Sequence, residues 1–139
     1  MNTNIDIKLA RKFLEISWPD FIEVDDLILI KKFVKNYFRN KHSFNDKISA
    51  EAFVNHIHIL DLFPNKYSKN KSCEIGLIFC QMWRNKLHSD FPNYSFRIYY
   101  EAIDSPIIRF HKIRVEESNW LNENDYTNEI KNGTIKIFT

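Results

Sequence analysis

At Pro92 the spacing of apolar residues changes from three-and-four to two, and that switch constrains the fold more than any single motif. Beyond it, "YSFRIYYEA" alternates Phe96, Ile98 and Tyr100 against Ser95, Arg97, Tyr99 and Glu101, the pattern of a half-buried strand. "PIIRFHKIR" follows a turn at Asp104-Ser105-Pro106, and "GTIKIF" reads as a third strand. Strands are therefore expected near 94–102, 106–114 and 134–139.

Before Pro92 the period is helical. Residues 4–17 place Ile5, Leu9, Phe13 and Ile16 on one stripe, and Pro19 enforces the stop by pushing its predecessor out of helical geometry. A further helix is expected from Ser49 through "AEAFVNHIHIL", ending before Pro64. The Lys/Asn/Ser-rich residues 65–72 read as a loop, with Ser72 as N-cap of the next helix. That helix, "CEIGLIFCQMWRNKLHSDF", puts Leu77, Cys80, Trp83 and Leu87 on one face, widened by Ile78, Phe79 and Met82. Apolarity over so much of its girth makes it a core helix.

"DFIEVDDLILIKK" admits two readings. Phe-Ile-Glu-Val and Leu-Ile-Leu-Ile can flank Asp25-Asp26 as a short hairpin at 20–30, because Asp tolerates the positive φ of a tight turn. Alternatively Asp25 caps a helix carrying Leu27, Ile30, Phe33, Val34, Tyr37 and Phe38. The hairpin is the expectation carried forward, with a helix beginning near Lys31 in either case. Helices first and strands mostly last, without a βαβ rhythm, predict a single α+β domain over 1–139: N-terminal helices on a C-terminal antiparallel sheet.

Composition excludes several functions. With only Gly76 and Gly133, no Gly-rich phosphate loop can form, and no Walker or Ser-elbow pattern exists. A net charge of +2 is too small for a general nucleic-acid binder. The opening residues lack the apolar stretch of a signal peptide, and no apolar run approaches the roughly 20 residues that cross a bilayer. A soluble cytoplasmic protein is expected. Cys73 and Cys80, seven apart on a helix, lie about 10 Å from each other, too far for a disulfide, which suits a reducing compartment.

Four constellations could carry function. His56-x-His58 suggests a metal, but residues two apart on a helix point about 200° apart and only a strand would let them chelate; no metal or other cofactor is expected. Arg97, Tyr99 and Glu101 share one face of the first strand, and Arg109 and His111 one face of the second. If those faces coincide, His111 as acid/base with Arg97, Arg109 and Tyr99 could support metal-independent RNA cleavage; the alternative is an ordinary cross-paired solvent face. "KKFVKNYFRNKH" interleaves bases with aromatics, yet the aromatics fall where a core face would be, leaving the bases on a solvated helix back.

The fourth is "VEESNWLNENDYTNEI", 115–130, with five carboxylates and no Lys or Arg, whereas 31–47 carries six bases against Asp46. Acids beside large rings have the composition of an interface: the rings anchor and the carboxylates complement a basic partner. The candidate partner-binding residues are Glu116, Glu117, Trp120, Glu123, Asp125 and Tyr126.

"ARKFLEISWPDFIEVDDLILI", "NHIHILDLF" and "MWRNKLHSDFPNYSFRIYYEAIDSPIIRFHKIR" together resemble a group of small bacterial proteins. In that group a Pro-Asp-Phe hairpin, an Asn-His-x-His-Ile segment and a Trp-to-Phe-Pro helix–strand junction recur in this order. In size and surface character the chain also resembles the cytoplasmic immunity proteins of contact-dependent growth inhibition and related polymorphic toxin systems. That resemblance implies a non-enzymatic antitoxin that binds a cognate toxin without naming it, and the acidic face points to a basic toxin, a nuclease, blocked at its active site or substrate groove. No membrane partner is expected, nor, from the net charge, nucleic acid; the alternatives are the small ribonuclease above and a nucleic-acid binder working through residues 31–41. Many nuclease immunity proteins are strongly acidic overall; here a local acidic face would have to serve.

Overall fold

A computed structural model describes residues 6–62 and 69–139. Its order is α1 (Ile7–Ser17), β1 (Phe21–Val24), β2 (Leu27–Ile30), α2 (Val34–Asn40), α3 (Lys47–Val54), β3 (Ile57–His58), α4 (Ile59–Leu62), α5 (Lys69–Asp90), β4 (Phe96–Glu101), β5 (Ile107–Lys112), α6 (Thr127–Lys131) and β6 (Ile135–Phe138). Single 3-10 turns precede α2, follow it, and precede α6. This is an α+β fold with two antiparallel sheets: the hairpin β1–β2, and a four-stranded sheet ordered β3-β5-β4-β6.

The Asp6 side chain caps α1 by accepting from Leu9 N–H at 3.1 Å, and the helix stops ahead of Pro19. Leu9, Phe13 and Ile16 face the core as their spacing requires; Ile5 lies outside the described residues. The residue pair Asp25-Asp26 forms the hairpin turn, with φ of 52° and 64°. Both residues being left-handed is what a two-residue turn needs to match strand twist, and Asp is among the few non-glycines that accept it. Tyr37 Oη fixes the turn by donating to Asp25 at 2.8 Å.

Strand β2 is buried on both faces. Ile28 and Ile30 join the main core, while Leu27 and Leu29 pack on Tyr37, Ala50 and Val54. Its free edge would leave buried backbone groups unpaired, and side chains of α3 close it. Glu51 accepts from Ile28 N–H at 2.8 Å; Asn55 accepts from Ile30 N–H at 2.9 Å and donates to Ile28 C=O at 2.8 Å.

These duties explain a departure from the expected helix. Rather than running from Ser49 to Pro64, α3 ends at Val54, because Asn55 is turned inward to β2 and Ile57–His58 pair with Ile107–Ile108. Pro64 itself lies outside the described residues. The expected loop 65–72 is also shorter: Lys69–Ser72 are helical and Ser72 is a buried interior residue of α5 rather than its N-cap. Residues 65–68 lie outside the described residues.

Helix α5 packs Phe79, Cys80, Trp83 and Leu87 against Phe96, Ile98, Tyr100, Ile108 and Phe110, the inner face of the sheet. Ile78 instead faces solvent. Gly76 permits the close approach: a Cβ there would lie 3.3 Å from the Tyr100 ring. Trp83 donates its indole N–H to Ile16 C=O at 2.8 Å, tying α1 to α5. Among the described residues no helix is long and apolar enough to cross a membrane.

Candidate functional site

The outer face of the sheet is where the sequence placed its enzyme alternative, and the geometry required does exist. Arg97 pairs with His111 and Tyr99 with Arg109, so all four side chains share a face. That face is not open to solvent. Residues 113–134 fold across it, and Tyr99, Leu121 and Ile135 form a small second-side core with Tyr126, Ile130 and Ile137.

His111 is fully buried beneath this cover. Its Nδ1 lies 3.0 Å from Lys112 C=O and must donate there. Nε2 therefore accepts, from Tyr99 Oη at 3.0 Å and from the Trp120 backbone N–H at 3.3 Å. Burial, reinforced by the Arg97 and Arg114 charges, lowers the imidazole pKa to about 4, against the opposing pull of the Lys112 carbonyl. A neutral ring with both nitrogens occupied and no solvent access is a structural tie. Arg97 and Arg109 are engaged too: Arg97 with Glu123 at 2.8 Å, Arg109 with Glu101 at 2.6 Å and with Ala52 C=O at 3.2 Å.

The tie has a consequence at the surface. By fixing the Trp120 backbone, His111 sets where the Trp120 side chain emerges. The indole lies over the Arg109 guanidinium, 4.8 Å from its centroid, and remains 39% exposed. The residues leaving β5 continue the two-residue alternation, with Ile113 N–H donating to Ser95 C=O at 2.8 Å. Lys112 and Arg114 are buried while Ile113, the last residue on the ladder, stays exposed on the side of His111; Val115, in the turn that follows, is wholly uncovered.

The six partner-binding candidates separate into two groups. Glu116 and Asp125 are exposed and have no ion-pair or side-chain hydrogen-bond partner among the described residues, and Trp120 stands beside them in sequence as a held ring. Glu117 and Glu123 are committed to the fold. Glu117 accepts from Ile48 N–H at 2.9 Å, satisfying a free amide in the first turn of α3, and lies 3.7 Å from Arg114. Glu123 anchors the cover to Arg97, and Tyr126 is half-buried in the second-side core.

Behind this face sits a polar cluster with no counterpart in the sequence reading. Glu51 accepts from Ile28 N–H, Lys112 N–H and the Arg114 guanidinium; Arg114 also donates to Asp26 C=O at 2.7 Å. Burial raises the Glu51 carboxyl pKa, opposed by the Arg114 charge and the two amides. Asp26 takes Lys47 at 2.8 Å and Lys112 at 3.0 Å, which together lower its pKa to about 2. A signal was present: Glu51 and Asn55 stand at i+3 and i+7 from Ile48, polar groups on the apolar stripe of α3.

His56 and His58 flank the break after α3, their rings 5.2 Å apart edge-on. Among the described residues no group of three or more His, Cys, Asp or Glu could hold a metal ion. In the basic stripe, Phe33 and Tyr37 turn inward as expected, but Phe38 is 52% exposed with Lys41 5.9 Å above its ring.

Fold and face together define a small α+β protein whose sheet is packed by a helix on one side and by an acidic, irregular segment on the other. The chain belongs to the uncharacterized protein PM0498 family, whose family model matches residues 1–137. No curated protein and no solved structure matches it.

Proposed function

We propose that this protein is an immunity protein: it binds a basic protein toxin, a nuclease, in the cytoplasm of the producing cell and neutralises it by occluding its active site or substrate groove. The observation that carries the reading is Trp120. Its backbone is tied to buried His111 and its ring rests on Arg109, yet the indole stays accessible. A large ring already held in place loses little freedom on docking, which is the character of an interface anchor. Ile113 and Val115, exposed in the same segment, supply apolar area, and Glu116 and Asp125, unpaired among the described residues, supply charge for the Lys and Arg a nuclease uses to hold its substrate. Glu117 and Glu123 support this face from behind, and Tyr126 helps pack it.

The test is capture of the toxin encoded beside the gene. Trp120→Ala should weaken the complex by about 2 kcal/mol, mainly through faster dissociation. Glu116→Lys with Asp125→Lys should slow association and reduce its salt dependence. A complex of unchanged kinetics in all three substitutions would remove this face from the proposal.

A further inference from the structure

A cavity lies away from the acidic face. It encloses about 670 Å³ between α1, the β2–α2 connection and β3–α4, a volume suited to one small ligand. Ile16, Trp18, Ile30, Phe33, Ile57 and Leu62 give it apolar walls. A second hollow of about 190 Å³ shares Phe33 and His56 with it and adds Asn36, Asn40 and Phe53, so the two hollows of this groove adjoin at those rings. Along the groove Phe53, His56 and His58 follow one another, with centroid separations of 5.7 and 5.2 Å.

The charges of this groove are unspent. Lys12, Lys31 and Lys32 line the large hollow, and none has an ion-pair partner among the described residues. By contrast, Lys47, Lys86, Lys112, Arg97, Arg109 and Arg114 are all engaged by carboxylates. His56 is turned by its Nδ1 contact with Phe53 C=O, which leaves Nε2 as an acceptor. Burial lowers its pKa, so at neutral pH the ring is an uncharged plane. Glu15, Asp20 and Asp61 also line the groove. They repel a bare polyanion but accept from exocyclic amino groups, and the Asn36 and Asn40 amides offer both donor and acceptor.

Flat walls, free ammonium groups and amide or carboxylate partners in one groove match a ligand with three parts: a ring system, a phosphate, and polar groups on the ring edge. We propose that this groove binds a nucleotide, taken either free or as a unit of a single strand that continues into the second hollow. The rings stack on the base, the lysines meet phosphate, and Asp61 or an Asn reads the base edge.

Trp18 lines the groove and is a built-in reporter of stacking. The full chain is titrated with AMP, CMP, GMP and UMP, with inorganic phosphate, and with a short single-stranded RNA, following tryptophan quenching. Saturable quenching by at least one nucleotide is expected, absent with inorganic phosphate and abolished in Trp18→Phe. Lys31→Glu with Lys32→Glu, both exposed and remote from the core, should weaken binding about tenfold or more. Glu116→Lys with Asp125→Lys should leave it intact. A single strand that binds tighter than any mononucleotide, with a salt slope that falls by about 1.4 in the lysine variant, identifies the strand as the source; equal affinities identify the free nucleotide. The proposal is overturned by absence of saturable quenching, by equal quenching from phosphate alone, or by binding indifferent to Lys31, Lys32 and Trp18.

Discussion

Replacing His111 by Gln tests whether the outer face is the sealed, neutral environment the geometry describes. In the unfolded chain the imidazole takes its proton near pH 6.5; in the folded protein it does so only near pH 4. As pH falls, the unfolded form is therefore protonated first, and stability is lost from about pH 6.5 down to about 4. Fully expressed, that difference is about 3 kcal/mol, of which about 2 kcal/mol appears between pH 7 and 4.5. Gln remains neutral throughout and can offer one acceptor in place of Nε2. At pH 7 His111→Gln should cost about 1–2 kcal/mol, because an amide placed where Nε2 sits leaves the buried Lys112 C=O without the donor that Nδ1 supplied. Between pH 7 and 4.5, however, the variant should lose about 2 kcal/mol less than the wild type. Other shifted groups act in both proteins alike. Asp26, with its lowered pKa, contributes stability above about pH 4 and loses it only in stronger acid. Glu51, whose pKa is raised, opposes His111, favouring the folded state towards lower pH. Urea denaturation at the two pH values in both proteins isolates the difference. Parallel pH dependence would refute the argument, as would a wild-type imidazole seen by NMR to titrate near pH 6.5.

Two further perturbations separate other terms. Asp25→Ala should cost about 2 kcal/mol in denaturant midpoint analysis, part from an alanine at φ 52° and part from the lost Tyr37 hydroxyl partner, whereas Asp25→Asn should stay within about 0.5 kcal/mol because Asn meets both demands. Cys80 is fully buried, with its thiol pKa pushed up by burial, while Cys73 is only half-buried, so a thiol reagent should label Cys73 in the native protein and reach Cys80 only on unfolding; labelling of both at equal rates would contradict the packing of α5.

The parts of the fold that follow from periodicity alone were legible. Phe96, Ile98 and Tyr100 alternate because one sheet face meets α5, and Cys80, Trp83 and Leu87 recur at helical spacing because they meet that face. The Asp25-Asp26 turn was legible because backbone chirality makes few residue pairs suitable there. The end of α3 was not. Local pattern in "AEAFVNHIHIL" continues helically, and only long-range partners, β2 for Asn55 and β5 for Ile57, override it. The alternation of Arg97, Tyr99 and Glu101 suggested a solvent face, but alternation cannot tell water from a later segment folded over the strand. The hint lay in Leu121, Tyr126 and Ile130, apolar residues within the acidic stretch that have nowhere to go but the sheet. Of the candidate interface, Glu116, Trp120 and Asp125 remain outward, while the roles of Glu117 and Glu123 depend on helix and sheet atoms far away in sequence.

That same division changes what a net charge of +2 means for this molecule. Many of its acids are consumed internally: Glu51 and Glu117 by Arg114 and free amides, Glu101 by Arg109, Glu123 by Arg97, and Asp26 by Lys47 and Lys112. The bases of Lys31, Lys32, Lys35 and Arg39 have no such partners among the described residues. The stretch from 31 to 41 is thus more cationic in effect than its sequence context implies, and the acidic stretch less anionic, with Glu116 and Asp125 its unpaired carboxylates among the six candidates. If the proposed partner docks on the second-side face, steering would rest on about two charges, so its association should show a shallow salt dependence and draw most of its affinity from Trp120. The groove, with its free lysines, is the part of the surface where salt should matter more. The two faces are therefore distinguishable in solution by ionic strength alone: a protein partner held through Trp120 should survive salt that releases a phosphate-bearing ligand.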